Sequence, residues 1–186
     1  QSGEDTEQFL KQTEEALREF QELRRDQQNL ADRLQELSAE PDSPEKAEQM
    51  KALMEQQEEL VDRMGKAERK LERLRLHGPA DAANRARKRM SQMMKQLADD
   101  QPDDADEIQR EMDEALDDME QVERELVLER RIARERLAFE QLEKIEDELK
   151  GLRARQETVI AETLRLDSAN HLTRWGLLSA RSSDWC

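Results

Sequence analysis

The sequence is poor in the residues that build a compact core or a covalent framework. Its 186 residues include one cysteine, no tyrosine, five glycines and four prolines, and aromatic residues make up only 3%. With Cys186 alone, no disulfide can form within the chain, which leaves an inert terminal thiol or a link between chains. No apolar run approaches the ~20 residues that a transmembrane helix requires. The sequence therefore predicts neither a disulfide-stabilised fold nor a membrane-spanning one.

The chain also lacks the residue patterns that carry out chemistry. Its two histidines, His77 and His171, lie on different segments without the spacing of a zinc site. There is no glycine-rich phosphate loop and no nucleophile motif of the hydrolase type. The many carboxylates lie on predicted solvent-facing helix surfaces, where nothing would shift a pKa. We therefore predict no catalytic residue, no cofactor and no metal, and expect a protein that is not an enzyme.

What the chain does have is charge arranged around a narrow apolar stripe. Charged residues make up 41% of the sequence, hydrophobic residues 35%, and the net charge is −15. An excess of acid disfavours nucleic acid and anionic membrane surfaces as partners of the whole chain. Sustained 3-4 spacing of apolar residues is typical of helices that pack along seams, as in coiled coils.

Two helical segments and a turn are predicted over the first 78 residues. Segment one runs over about 4–37 and ends before Pro41, because proline cannot continue a helix. Segment two begins at Ser43, a credible N-cap, with Pro44 in the first helical position. We expect it to stop or kink at Gly78-Pro79. The seam of segment one is Phe9, Thr13, Ala16, Phe20, Leu23, Gln27, Leu30, Leu34 and Leu37.

Two further segments and a tail complete the prediction. Segment three runs over about 80–97, and the proline-containing acidic break at 99–104 precedes segment four, which runs over about 103–166. The apolar phase slips between Leu126 and Leu142, which changes the supercoil or passes the seam to another partner. The later seam of segment four is Leu142, Ile145, Leu149, Leu152, Gln156, Val159, Thr163 and Leu166. Residues 168–186, with Trp175 and Trp185, lose the pattern and form a flexible or docking tail.

Short breaks favour antiparallel neighbours, and the seams of segments one and two then meet layer by layer. In this register Gln27 and Gln57, the glutamines of the two seams, fall in one layer. A shared polar layer can hydrogen-bond internally and fix the register at some cost in stability. We therefore assign these two residues as a register layer.

Segments three and four pair by charge as well as by seam. The basic stretch 85–95 faces the acidic stretch 104–123, which favours their antiparallel packing and makes the basic stretch internal rather than a nucleic-acid site. Met94 lies off the main seam and is a candidate outward contact, since methionine suits adaptable surfaces. The full set of candidate partner contacts is Met94, Asp113, Glu114, Asp117, Asp118, Trp175 and Trp185.

These patterns predict an all-α fold, an elongated antiparallel helical coiled coil or bundle of four segments with a very long last helix. Residues 1–78 form one hairpin, 79–167 form a second whose long helix packs back on the first, and 168–186 form the tail. The predicted function is a scaffolding module acting by contact with another protein or with itself. The alternative is an acidic regulatory or chaperone-like module that holds a basic or amphipathic client helix.

Residues 115–167 resemble the coiled-coil region of large bacterial envelope-associated proteins. The resemblance is carried by Arg155, Gln156, Ile160, Glu162, Thr163, Leu166 and Asp167, in a pattern of the form L-x-x-L-x-x-RQ-x-x-I-x-ET-x-x-LD. It covers under a third of the chain. It implies an extracytoplasmic scaffold segment of a longer protein and implies no activity.

Overall fold

The fold consists of α-helices, four of them in the described part of the chain. The computed structural model describes the backbone over residues 2–98 and 105–182, and side-chain surroundings over 3–97 and 107–169. The all-α prediction and the long last helix are confirmed. The chain divides into two units, Gln1–Leu137 and Ala138–Cys186. The helices are α1 (Ser2–Ser38), α2 (Pro44–Arg73), α3 (His77–Ala98) and α4 (Ala105–Ser182).

The turn from α1 to α2 follows from proline and serine chemistry. Ser43 has an extended backbone, and its hydroxyl accepts a hydrogen bond from the backbone N–H of Lys46 at 3.1 Å. Pro44 occupies the first helical position, where a missing N–H leaves no intrahelical bond unmade. The predicted N-cap is therefore present, and α2 starts where the sequence indicates.

The turn from α2 to α3 lies earlier than the sequence predicts, so the expected stop at Gly78-Pro79 is wrong. Helix α2 ends at Arg73, and Arg75 adopts a left-handed conformation with φ of 60°. The N–H of Leu76 donates to the carbonyl of Leu71 at 3.0 Å, and that of Arg75 donates to Glu72 at 2.9 Å. These two bonds form a Schellman motif, which ends a helix without glycine or proline.

The buried side chains of Leu71 and Leu76 make this turn stable. They are 0% and 5% exposed, and they occupy the two positions whose apolar contact accompanies a Schellman motif. Gly78 and Pro79 then fall in the first turn of α3, where proline needs no hydrogen-bond partner for its nitrogen. The two residues therefore start a helix rather than end one.

Replacing Arg75 with glycine is expected to raise the free energy of unfolding by about 1 kcal/mol, because a left-handed conformation costs a non-glycine residue about 1–2 kcal/mol. The matched control is Glu58→Gly in the exposed middle of α2, which should lower it by about 1 kcal/mol. Urea unfolding followed by circular dichroism measures both. Equal destabilisation by the two changes would contradict the strained turn.

The core of the first unit is the set of seam residues that the 3-4 pattern identifies. Phe20, Leu23 and Met64 are fully buried at the contact between α1 and α2. Their helices run antiparallel, since Lys70 contacts Glu19 at 3.2 Å and Arg63 contacts Asp26 at 2.8 Å. The predicted seam thus lies inside the bundle, and the charged residues border it.

The remaining contacts of the first unit join α3 and the first part of α4 to this pair. Helix α3 packs antiparallel on α4 through Met90, Met93, Met112 and Ala115, which are at most 1% exposed. Helix α2 meets α3 through Arg87, whose guanidinium contacts Glu68 at 2.7 Å. The first unit is therefore a helical bundle in which consecutive helices alternate in direction.

Helix α4 extends beyond the predicted end at Leu166. Its backbone is helical to Ser182, so the helix continues into the segment predicted as a flexible or docking tail, and that role stays a prediction. Local helix propensity outweighs the loss of apolar period there, because Leu, Ala and Arg recur among residues 169–181. The side chain of Trp175, and all of Trp185 and Cys186, lie outside the described residues, so their docking stays a prediction.

Candidate interaction surface

An exposed apolar stripe follows the second half of α4, within the second unit. Six apolar residues at 3-4 spacing are each more than half exposed, although large aliphatic side chains are usually buried. Gln156 and Thr163 complete the spacing and are also exposed. The apolar members of the stripe are Leu142 (61% exposed), Ile145 (52%), Leu149 (59%), Leu152 (54%), Val159 (61%) and Leu166 (62%).

The stripe winds slowly around the helix, because its mean spacing of about 3.5 residues falls slightly short of the ~3.6 residues of one helical turn. Residues three and four apart lie on one face of an α-helix, so all eight positions from Leu142 to Leu166 share a single side. At 1.5 Å per residue the stripe is about 36 Å long. We refer to these eight positions as the α4 stripe.

Charged side chains flank the α4 stripe and pair along the same helix. Lys150 contacts Glu146 at 2.7 Å, and the Nε of Arg153 donates to Glu157 at 2.9 Å. Such pairs four residues apart stabilise a helix by about 0.2–0.5 kcal/mol each. They support the helix locally, but they bury none of the apolar stripe.

Exposed apolar side chains also occur on the part of α4 that belongs to the first unit. Leu126 and Ala133 point into the bundle and are 0% and 3% exposed, whereas Leu128 and Ile132 are 55% and 49% exposed. The buried pair and the exposed pair lie on different faces of the helix, because Leu128 and Ile132 follow Leu126 by two and six residues, which is not a helical repeat. This arrangement coincides with the predicted slip in apolar phase.

Half of the predicted acidic contact patch is bound within the bundle. Asp118 is 9% exposed and accepts hydrogen bonds from the Nε of Arg85 at 2.9 Å and of Arg89 at 3.0 Å. Glu114 also contacts Arg89. Asp113 and Asp117 remain exposed on α4. The predicted pairing of basic α3 with acidic α4 is therefore present, and it engages two of the four acids.

Arg89 lies at the centre of this charge network. Burial lowers the pKa of its guanidinium, but the hydrogen bond to Asp118 and the charges of Glu114 and Asp118 outweigh that effect. The pKa of Arg89 is therefore raised above its ordinary value. Arg89 is therefore a permanently charged donor at the centre of the network.

Met94, the predicted outward contact, is partly buried at the edge of α3. Its neighbours Met90 and Met93 are 0% and 1% exposed and fill the core. The methionines of this region therefore act mainly as core residues, and Met94 lies beside them. Its role in partner binding stays a prediction.

The sequence reading missed the polar links between distant helices. Arg24 on α1 donates to Glu123 on α4 at 2.6 Å, and Arg134 on α4 donates to Glu14 on α1 at 2.6 Å. Charged residues at these spacings are common in the sequence, so no local pattern singles these four out. The packing of the first part of α4 on α1 is their shared basis.

The predicted Gln27–Gln57 layer is present in the core. Both side chains are fully buried, and the Nε2 of Gln57 donates to the Oε1 of Gln27 at 3.0 Å. The layer lies in the bundle and not on a surface, so it bears on folding rather than on binding.

Within the described ranges, no helix is long and apolar enough to cross a membrane. No group of three or more His, Cys, Asp and Glu side chains in this part of the chain is arranged to hold a metal ion. His77 lies exposed at the start of α3. The α4 stripe is therefore the most distinctive surface that the described side chains offer.

Comparison with known proteins adds no relative to this description. No protein-family model, curated protein or solved structure matches the chain. The resemblance of residues 115–167 to coiled-coil regions of bacterial envelope-associated proteins therefore stays a prediction. The described part of the chain is a helical bundle followed by a helix with an exposed apolar stripe.

Proposed function

We propose that this chain is a non-enzymatic scaffolding module that acts by contact between proteins, through the α4 stripe. The observation that supports this proposal is that six apolar residues at helical 3-4 spacing lie more than half exposed on one face. Contiguous exposed apolar surface of this kind usually marks an interaction site. A second amphipathic helix fits such a stripe, because its own apolar residues interdigitate at the same spacing.

The free energy available from covering the stripe is large. Burying a leucine, isoleucine or valine side chain contributes about 1.5–3 kcal/mol relative to leaving it exposed. The stripe offers six such side chains, each with roughly half or more of its surface still accessible. Even after the loss of translational and side-chain freedom on association, a partner helix has enough apolar surface here to bind.

The alternative of an acidic module for a basic client has less support. A basic client helix would compete with Arg85 and Arg89 for Asp118, which is already bonded to both. Asp113 and Asp117 are exposed, but they flank a helix face whose buried members pack in the bundle. The α4 stripe is therefore the surface on which the proposal depends.

The proposal can be tested with a photo-crosslinking residue placed in the full chain in its native cells. At position 152 we expect covalent adducts with protein, because this position lies in the middle of the α4 stripe. The matched control is position 154, an exposed alanine of the same helix on the opposite face. The measurement is the adduct yield on a denaturing gel at each position.

An adduct with any protein, another copy of the chain included, at 152 and not at 154 would support the proposal. Equal yields at the two positions, or none at 152, would contradict it, because a functional stripe must contact its partner from one face. The identity of the adduct is a separate question from its position.

A further inference from the structure

We infer that the α4 stripe binds further copies of this chain, as a parallel coiled coil in register; this inference rests on the proposed function. The spacing of the stripe assigns heptad positions without ambiguity, since steps of three and four residues alternate along it. The a positions are Leu142, Leu149, Gln156 and Thr163, and the d positions are Ile145, Leu152, Val159 and Leu166.

The polar residues of the stripe favour a parallel, unshifted pairing. In that register Gln156 meets the Gln156 of the other copy, and the two amides can hydrogen-bond, as Gln27 and Gln57 do within the bundle. A shift by one heptad would place Gln156 of one copy opposite Leu149, and Gln156 of the other copy opposite Thr163. An antiparallel pairing that aligns all eight positions would place it opposite Leu152. A buried amide opposite leucine lacks a partner, which disfavours those alignments.

The charges that border the stripe favour the same direction. In the parallel register Glu148, at a g position, lies beside Arg153 at the following e position of the other copy, and opposite charges there stabilise the pair. Glu162 and Asp167 form a like-charged pair, but at the end of the stripe. In the antiparallel alignment, Arg153 of one copy lies beside Arg153 of the other, and Arg155 lies beside Arg155. Both like-charged pairs fall at the centre of the stripe, where their repulsion is strongest.

Arg153 can take part in this pairing without losing its present contact. Its Nε donates to Glu157 of the same helix at 2.9 Å, and its side chain is 79% exposed. A guanidinium has five N–H donors, so the terminal nitrogens remain available for Glu148 of a second copy. The contact therefore adds to the helix-stabilising pair and does not replace it.

The exposed environment of the second half of α4 also favours association with a second copy of the chain. Most helices of a globular protein are stabilised by packing of an apolar face, and ion pairs contribute little. In the described part of the second unit, residues 141–169 are exposed throughout. Association of identical stripes gives each copy apolar packing along this described stretch, where the side chains are exposed.

The composition of the core positions bears on the number of chains. Leucine at a with isoleucine at d shifts preference from two strands to three or four. Here Leu142 and Leu149 occupy a, and the d positions alternate between β-branched residues (Ile145, Val159) and leucine (Leu152, Leu166), so only part of the stripe follows that rule. Ile160 at an e position is 58% exposed and widens the stripe, as a bundle of more than two helices requires.

The first experiment is sedimentation equilibrium of the full chain over about 1–200 µM, a range that reveals dissociation constants of biological self-association. Wild type is expected to associate. The double variant Leu149→Asp/Leu152→Asp should associate at least about 100-fold more weakly, because two buried leucines are lost and two carboxylates are introduced. The matched control is Ala154→Asp/Ala161→Asp on the opposite face of α4, which should associate as wild type does.

The second experiment determines the direction, in a Cys186→Ser background. Leu152→Cys, which leaves the Gln156 layer intact, is expected to give a covalent dimer as the main product of mild oxidation, because parallel in-register copies bring position 152 of each copy within disulfide distance. Ala154→Cys should give little. In the antiparallel alignment, covalent dimer would instead require Leu152→Cys on one copy and Gln156→Cys on the other.

Three results would overturn the inference. These are a monomeric wild type across the whole range, association that the stripe variant does not weaken, and crosslinking of the 152/156 mixture but not of position 152 alone. A monomer that still gives one-sided adducts with another protein at position 152 would refute self-association and leave the proposed function standing. Absence of both would refute both.

Discussion

Replacing Leu23 with alanine is expected to lower the free energy of unfolding of the bundle by about 2–5 kcal/mol. Leu23 is 0% exposed and lies in the seam between α1 and α2, next to Phe20 and near Met64. The change removes apolar surface and leaves a cavity, and the neighbouring helices can close it only in part. The measurement is the urea midpoint by circular dichroism, with the slope of the transition unchanged.

The matched control for Leu23 is Leu128→Ala on the first part of α4. Leu128 belongs to the same unit and is also helical, but it is 55% exposed. Its replacement should change the free energy of unfolding by no more than about 0.5 kcal/mol. If both variants lost the same stability, the seam of α1 and α2 would not be the core of this bundle.

The helical parts of the fold were predictable because a single physical signal determines them. Apolar residues at 3-4 spacing must lie on one face of a helix, and burial of that face accounts for Phe20, Leu23, Met90 and Met112. The start of α2 was predictable too, since an N-cap serine before proline has a local cause.

The turn after α2 was not predictable in the same way. The Schellman motif there depends on Arg75 adopting a left-handed conformation, which the sequence would assign to glycine. Leu71 and Leu76 occupy the positions whose apolar contact accompanies that motif, and both are buried, which depends on tertiary packing. Gly78-Pro79 was a strong local signal for a helix end, but proline is equally compatible with a first turn.

The sequence predicts the apolar pattern of the α4 stripe, but as a face that packs on the first hairpin. The 3-4 spacing of residues 142–166 is evident in the sequence and predicts packing of this segment on the first hairpin. In the structure these side chains are exposed, and that packing stays a prediction. Periodicity identifies an apolar face but does not name the surface that covers it, because every face with the same repeat is complementary in spacing.

The register layer is the feature in which prediction and structure allow the sharpest test. Gln27 and Gln57 are 0% exposed and share one hydrogen bond of 3.0 Å across the α1–α2 interface. The other polar atoms of the two amides, the Nε2 of Gln27 and the Oε1 of Gln57, are buried without a partner among the described protein atoms. Such a layer lowers stability relative to an apolar one and makes other alignments of the seam unfavourable.

A double-mutant cycle at this layer is expected to be strongly non-additive. Gln27→Leu alone removes the acceptor for the Nε2 of Gln57 and should lower the free energy of unfolding by about 1–2 kcal/mol, since a buried amide is then left unpaired. Gln57→Leu alone should have a similar effect. The double variant should be at least as stable as wild type, because both amides are replaced by apolar groups, giving a coupling of at least about 2–4 kcal/mol.

The control for this cycle is Gln28→Leu, one residue away on α1. Gln28 is exposed and donates to Asp32 at 2.9 Å, so its loss should change stability by no more than about 0.5 kcal/mol. Additive losses from the two seam variants would mean that each amide acts alone, and the shared layer would then have no energetic basis. A stabilised double variant would instead show that this chain retains a buried polar pair at a cost in stability. Register selection is the physical reason for such a pair, because leucine at both positions would pack equally well against any other leucine layer of the seam.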